Sequence, residues 1–235
     1  MFYPDLHAIG FDYPEWEDLM DDVMAQDLMV SHELPDAAFV LAYQDESGAH
    51  ITIVNHGEET GFSTQSGFEC DTHVRAEVFR FSTELAHITF LDADDAPLGT
   101  TLATMRDPFR YPLVVNEEGA SSVLVEHLGM SGLAVSCTFA DSLAAAEISA
   151  GVKCPSLEAL MAGESTIADS VPVAMVAMEI ASVERRINSL TAQPFWVITG
   201  EAVGTWTVTL PGDIEHTPKV GEAVVAEVLV SVGVK

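Results

Sequence analysis

Two arginines share one proline-bounded aromatic loop, Arg106-Asp107-Pro108-Phe109-Arg110-Tyr111-Pro112. A guanidinium presents a planar fork of donors that matches a carboxylate or a phosphate. Arg106, Arg110 and Tyr111 therefore form the candidate anion-binding group. The alternative is that these arginines neutralise Asp107 or the acidic segment 14–30 of the same chain, and Glu184-Arg185-Arg186 invites the same two readings.

Cys70-Asp71-Thr72-His73 is a C-x-x-H turn leading into a strand, with His87 on a possible neighbouring strand. A zinc ion needs three or four such ligands within about 2.0–2.3 Å. Cys70, His73 and His87 are thus the candidate metal ligands, although two local ligands recur by chance and the expectation is that the three do not converge. His50 and His56 share a strand face, but about 20 Å of extended chain separates them. A Cys–His nucleophile is possible in type, yet nothing in the spacing identifies the pair. Neither a P-loop nor G-x-G-x-x-G occurs. Gly129-Met130-Ser131-Gly132-Leu133 lacks the final glycine of a nucleophile elbow, and Asp92-x-Asp94-Asp95 lacks the glycine of a calcium loop. No cofactor is indicated.

Charge narrows the function more than any motif does. The 235 residues carry 9 Lys+Arg against 37 Asp+Glu, a formal charge of −28. Sixteen carboxylates precede the first basic residue, Arg75. Phosphate-backbone binding needs the opposite sign, so direct nucleic-acid binding is excluded. These carboxylates must be solvated, hold cations, face the few arginines further on or meet a basic partner. Repulsion among them predicts stability that rises with salt and with mild acidification. Three widely spaced cysteines, no basic-apolar leader and no apolar stretch of about 20 residues predict a cytoplasmic protein without a membrane span.

The elements that must position these residues are legible from periodicity. Trp16, Leu19, Met20, Val23 and Met24 recur at helical spacing behind Pro14, which predicts a helix over 14–30 with one apolar face. Core packing of that face is the expectation, and a Met-rich partner groove is the alternative. From Ala37 to Val125 the period becomes 2, with strands predicted at 37–44, 49–55, 72–81, 86–91, 98–104, 112–115 and 121–127. Asp45-Glu46-Ser47-Gly48 marks a hairpin turn and Asp92 to Pro97 a second polar connection. Asp141 can cap a short helix through Ser149, and Cys154-Pro155-Ser156 opens another that ends at Gly163. Beyond the segment 151–170, apolar runs at 171–181, 195–199, 204–210 and 221–232 predict strands joined by turns. Trp206, Val208 and Leu210 alternate there with Thr205, Thr207 and Thr209.

With Pro218-x-x-Gly221 leading into a last apolar strand, this C-terminal block resembles small closed barrels of the OB type. That resemblance implies oligonucleotide binding, which the shortage of cations contradicts.

The expected fold is α+β and mainly β: an antiparallel sheet or sandwich with one long N-terminal amphipathic helix, then a small OB-like β-barrel unit. Residues 1–150 would form the acidic unit, 151–170 a helical linker and 171–235 the barrel-like unit. The leading functional expectation is a non-catalytic binding or interaction module for a basic protein partner or for a second copy in a homo-oligomer. The alternatives are a metal-dependent or Cys/His hydrolase built on Cys70, His73 and His87, and an acidic mimic that occupies a basic nucleic-acid-binding surface.

Overall fold

A computed structural model describes residues 3–31, 39–57, 61–108, 115–116, 119–120 and 122–234. Pro4–His7 forms a short helix, α1, and Trp16–Met24 a second, α2. The helix expected over 14–30 is therefore only nine residues long. Its early end has an electrostatic cause: Asp21 and Asp22 occupy the last turn, where the helix dipole disfavours anions, and no basic residue offsets them. The chain instead enters β1 (Met29–Ser31), whose Met29 and Val30 pair with Ala42 and Leu41.

β1 opens an antiparallel sheet in the order β1-β2-β3-β4, with β2 at Phe39–Gln44, β3 at Ala49–Asn55 and β4 at Phe62–Phe68. The turn expected after Gln44 is present, and Gly48 at φ +93° takes the left-handed conformation that favours glycine. β4 is not predicted by the sequence pattern. Phe-Ser-Thr-Gln-Ser-Gly-Phe holds one β-branched residue, and it is a strand because it pairs with β3 from Ala49↔Phe68 to Asn55↔Phe62.

The second sheet takes in β5 (His73–Arg80), β6 (Leu85–Leu91) and β7 (Pro97–Met105). β8 (Val115–Asn116) and β9 (Gly119–Ala120) pair only with each other among the described residues. β10 (Val123–Ala140) and β11 (Gly151–Lys153) rejoin the sheet, followed by helix α3 (Pro155–Met161), β12 (Val173–Ile187), β13 (Pro194–Ala202), β14 (Gly204–Pro211) and β15 (Ala223–Val234). Its order is β11-β12-β13-β14-β10-β15-β7-β6-β5, with β12–β15 and β10–β5 also paired. β10 runs parallel to β14 and β15 parallel to β7, so the sheet is mixed.

Residues 171–235 do not close into a separate OB-like barrel. β14 and β15 are not neighbours; β10 lies between them and completes the ring of pairings β12-β13-β14-β10-β15-β12. The expected helix over 141–149 is also absent, replaced by turns, whereas α3 forms where Cys154-Pro155 predicts it and is followed by Gly163 at φ +74°.

One large core draws side chains from β5 to β7, β10 and β12 to β15. Trp206, Val208 and Leu210 are fully buried in it, as their alternation predicts, together with Val224, Val228 and Val230. The intervening Thr207 and Thr209 are buried as well, and the Thr207 hydroxyl lies 2.6 Å from that of Thr72. A second core joins Leu6, Phe11, Leu19 and Val23 to Ile51, Ile53 and Phe68 of the first sheet and to Phe195 of β13. Among the described residues, no helix is long and apolar enough to cross a membrane, and all three cysteines are free.

Candidate functional site

On α2, a step of 100° per residue separates the faces cleanly. Leu19 and Val23 point into the second core and are buried. Trp16, Met20 and Met24, spaced by four, form the adjacent ridge. This ridge is the near wall of an apolar groove of about 440 Å³ whose far wall is the first sheet: Phe39, Leu41, Ile53, Phe62 and Thr64. Register explains the far wall, because Leu41↔Ile53↔Thr64 and Phe39↔Asn55↔Phe62 lie across from one another and so share a sheet face. The Phe39 and Phe62 rings meet edge to face at 6.3 Å, and Trp16 leans on Tyr3 at 5.5 Å.

The sequence places Met24 in the core, but it is 52% exposed, and Phe62 is 65% exposed. Both border the groove, so its apolar lining continues out to the surface. One step further round α2, the exposed Glu17 and Asp21 put carboxylates beside this ridge. Asp22 lies on another side and accepts a hydrogen bond from Tyr13 Oη at 2.7 Å. Burial, reinforced by Asp22, pushes the Tyr13 phenol pKa up.

A second, polar groove of about 540 Å³ lies where the β2–β3 turn meets the end of β4, lined by Asp27, Gln44, Glu46, Glu69, Asp71 and Arg186 among others. Asp45 at its base is 2% exposed. Its carboxylate accepts hydrogen bonds from the backbone N–H groups of Ser47, Ser189 and Leu190 at 2.9–3.2 Å, and from the hydroxyls of Tyr43 and Ser189. Burial pushes its pKa up, but hydrogen bonds from Ser189 and Ser47 outweigh that and hold it below the usual carboxylate value. Asp45 is a clamp between the β2–β3 turn and the segment after β12. The sequence shows it only as a turn residue.

The residues singled out from the sequence fall elsewhere. Arg110 and Tyr111 lie outside the described residues, as do 112–114 of the strand expected there. Arg106 is 6% exposed and lies between the two sheets, with Nη1 donating to the Phe68 carbonyl at 2.5 Å and Nε 3.6 Å from an Asp107 carboxylate oxygen. Next to it, burial and the Arg106 charge push the His50 imidazole pKa down to about 3. Cys70 and His73 do come near each other: a Cβ on Gly129 would sit 3.5 Å from Cys70 Sγ and 3.8 Å from His73 Nδ1. The Cys70 thiol donates to the carbonyls of Thr72 and Met130. His87 stands opposite Phe79, six residues along β5 from His73, which is about 20 Å of strand. Burial lowers its pKa. Among the described residues, no three His, Cys, Asp or Glu side chains are arranged to hold a metal ion.

In comparisons with protein-family models, curated proteins and solved structures, nothing matches this chain.

Proposed function

We propose that this protein is a non-catalytic interaction module that receives an apolar segment of a basic partner protein in the groove between α2 and the first sheet. The observation that carries this reading is the continuous apolar lining, from the buried Ile53 and half-buried Leu41 out to the exposed Met24 and Phe62. Methionine side chains repack around different shapes at low cost, which suits a binding wall. Among the described residues, Thr64 is the one hydroxyl in the lining and no titratable side chain accompanies it, so the chemistry they offer is contact. The charge of −28 and the carboxylates beside the ridge select a basic partner and speed its approach.

The test is calorimetric titration with short peptides carrying apolar residues flanked by lysines, against the same peptides with glutamate for lysine. Lysine-flanked peptides are expected to bind, to weaken from low to high salt, and to bind Met24→Asp at least about tenfold more weakly. Absence of saturable binding, or binding indifferent to Met24→Asp, would refute the reading.

The polar groove favours a second reading, the acidic mimic. If a basic partner is displaced by a polyanion and its binding is weakened by Glu46→Gln with Glu69→Gln but not by Met24→Asp, this second reading replaces the first.

A further inference from the structure

β4 ends the first sheet, and β3 is its one partner strand among the described residues. The hydrogen bonds just beyond its two ends fix which backbone groups the ladder uses. His56 N–H donates to the Gly61 carbonyl at 2.9 Å, and Glu69 N–H to the Gly48 carbonyl at 2.8 Å. Both belong to the β3–β4 register, and bonded pairs alternate along an antiparallel ladder. The odd-numbered residues of β4 therefore turn their N–H and C=O groups toward β3. Phe62, Thr64, Ser66 and Phe68 turn theirs to the outer edge. Arg106 agrees with this parity, since its Nη1 takes the outward carbonyl of Phe68. That end of the edge is occupied, and Ser66 Oγ donates to Asp5 of α1 beside it. Gln65 and Ser66 are themselves buried, so among the described residues Phe62 to Thr64 is the stretch left.

Edge strands are ordinarily protected by charge, proline, a bulge or brevity. β1 and β11 are three residues long, and β11 carries Lys153. β4 has seven residues, no charge, no proline and an uninterrupted register with β3. In so acidic a chain that omission is specific to this strand. Moreover, Phe62 and Thr64, whose backbone groups face the edge, also line the apolar groove with their side chains.

We propose that the partner binds as an added β-strand: an extended segment of alternating apolar and basic residues pairs with β4 along Phe62–Thr64. Its alternate apolar side chains extend the sheet face that lines the groove. This deepens the groove reading and rests on it. A basic segment is selected over a second copy of this chain because two copies would each bring a charge of −28, while lysines alternating to the opposite face of the added strand lie on the side of Ser63, whose hydroxyl donates to the Glu84 carboxylate.

The probe is a synthetic peptide of alternating valine and lysine, about seven residues long, beside a version N-methylated at every second residue. The two share their side chains, but the methylated peptide cannot pair on the face where its N–H groups are blocked. Methylation is made in each of the two phases, of which one blocks the peptide N–H groups that face β4 and the other those that face away from it. At least one methylation phase should weaken binding about tenfold or more, the loss of one or two hydrogen bonds. Thr64→Pro removes a donor from the outer edge and none from the β3 ladder, so its melting temperature should stay close to that of the unsubstituted protein while affinity falls similarly. Exchange of the Phe62 and Thr64 amide protons should slow when the parent peptide is added. Equal binding of both methylated phases and the parent would overturn strand addition and leave the groove reading standing, whereas Met24→Asp tests the groove itself. Dimerisation of the free protein through β4 would also overturn it, by naming a second copy as the occupant. If Thr64→Pro does not fold, the methylated peptides on the unsubstituted protein decide the matter.

Discussion

Arg106 lies so close over Gly233 that a Cβ on that glycine would sit 2.6 Å from the guanidinium carbon. The same guanidinium donates to the Phe68 carbonyl, so a single side chain ties β15 to the end of β4. Gly233→Ala is expected to displace it and to destabilise the fold by about 1–3 kcal/mol. In an Arg106→Met background the same change should cost much less, and a double-mutant cycle on chemical denaturation measures the difference. Equal costs in the two backgrounds would show that Gly233 is needed for another reason.

The pH dependence has a definite sign. His50 is neutral in the fold, with its pKa pushed from 6.5 to about 3, and takes up a proton on unfolding. A depressed histidine stabilises the fold above its unfolded value, and that stability is lost as pH falls below about 6.5. Between there and pH 5 the loss is about 2 kcal/mol. Asp45 acts in the same direction at lower pH, because its carboxyl is held below its ordinary value and its contribution goes as the pH drops through the folded value. This reverses the gain on mild acidification expected from crowded carboxylates alone. Melting temperatures from pH 7 to pH 5 should fall, and His50→Gln should flatten the slope.

Neighbouring positions on α2 should respond differently to the same charge. Val23 is fully buried and Met24 is not. Val23→Asp is expected to cost about 3 kcal/mol or more through an unpaired buried carboxylate, while Met24→Asp stays within about 1 kcal/mol. Thermal unfolding of the two variants checks this.

Salt should stabilise the protein, since the screening length falls from about 30 Å at 0.01 M to about 3 Å at 1 M and the sixteen carboxylates before Arg75 repel one another. A melting temperature that is flat or falls with sodium chloride at pH 7 would mean that these charges are already compensated.

Local pattern carried a good part of the fold. The β2–β3 hairpin follows from alternation on either side of Asp45-Glu46-Ser47-Gly48, and the buried face of β14 from Trp206, Val208 and Leu210. What local pattern misses is set by distant partners. β4 is a strand because β3 pairs with it. β10 runs through Gly129 and Gly132, which look like interruptions, yet Gly129 lies against Cys70 and a Cβ on Gly132 would meet Val228 at 2.8 Å. Thr207 and Thr209 look like a wet face but are covered. The methionine spacing of α2 was the one local trace of the groove, because register alone brings Leu41, Ile53, Thr64 and Phe62 to face it. The His, Cys and Arg residues with the most chemistry in their side chains went largely to interior contacts, as Arg106, His50 and Cys70 show.

The groove is tested most directly by the methyl resonances of its methionines. With 13C-labelled methionine methyl groups, titration of the alternating valine–lysine peptide should shift the signals of Met20 and Met24, while those of the fully buried Met105, Met130 and Met178 stay in place. Shifts confined to other methionines, or none at saturating peptide, would contradict a binding site between α2 and the first sheet.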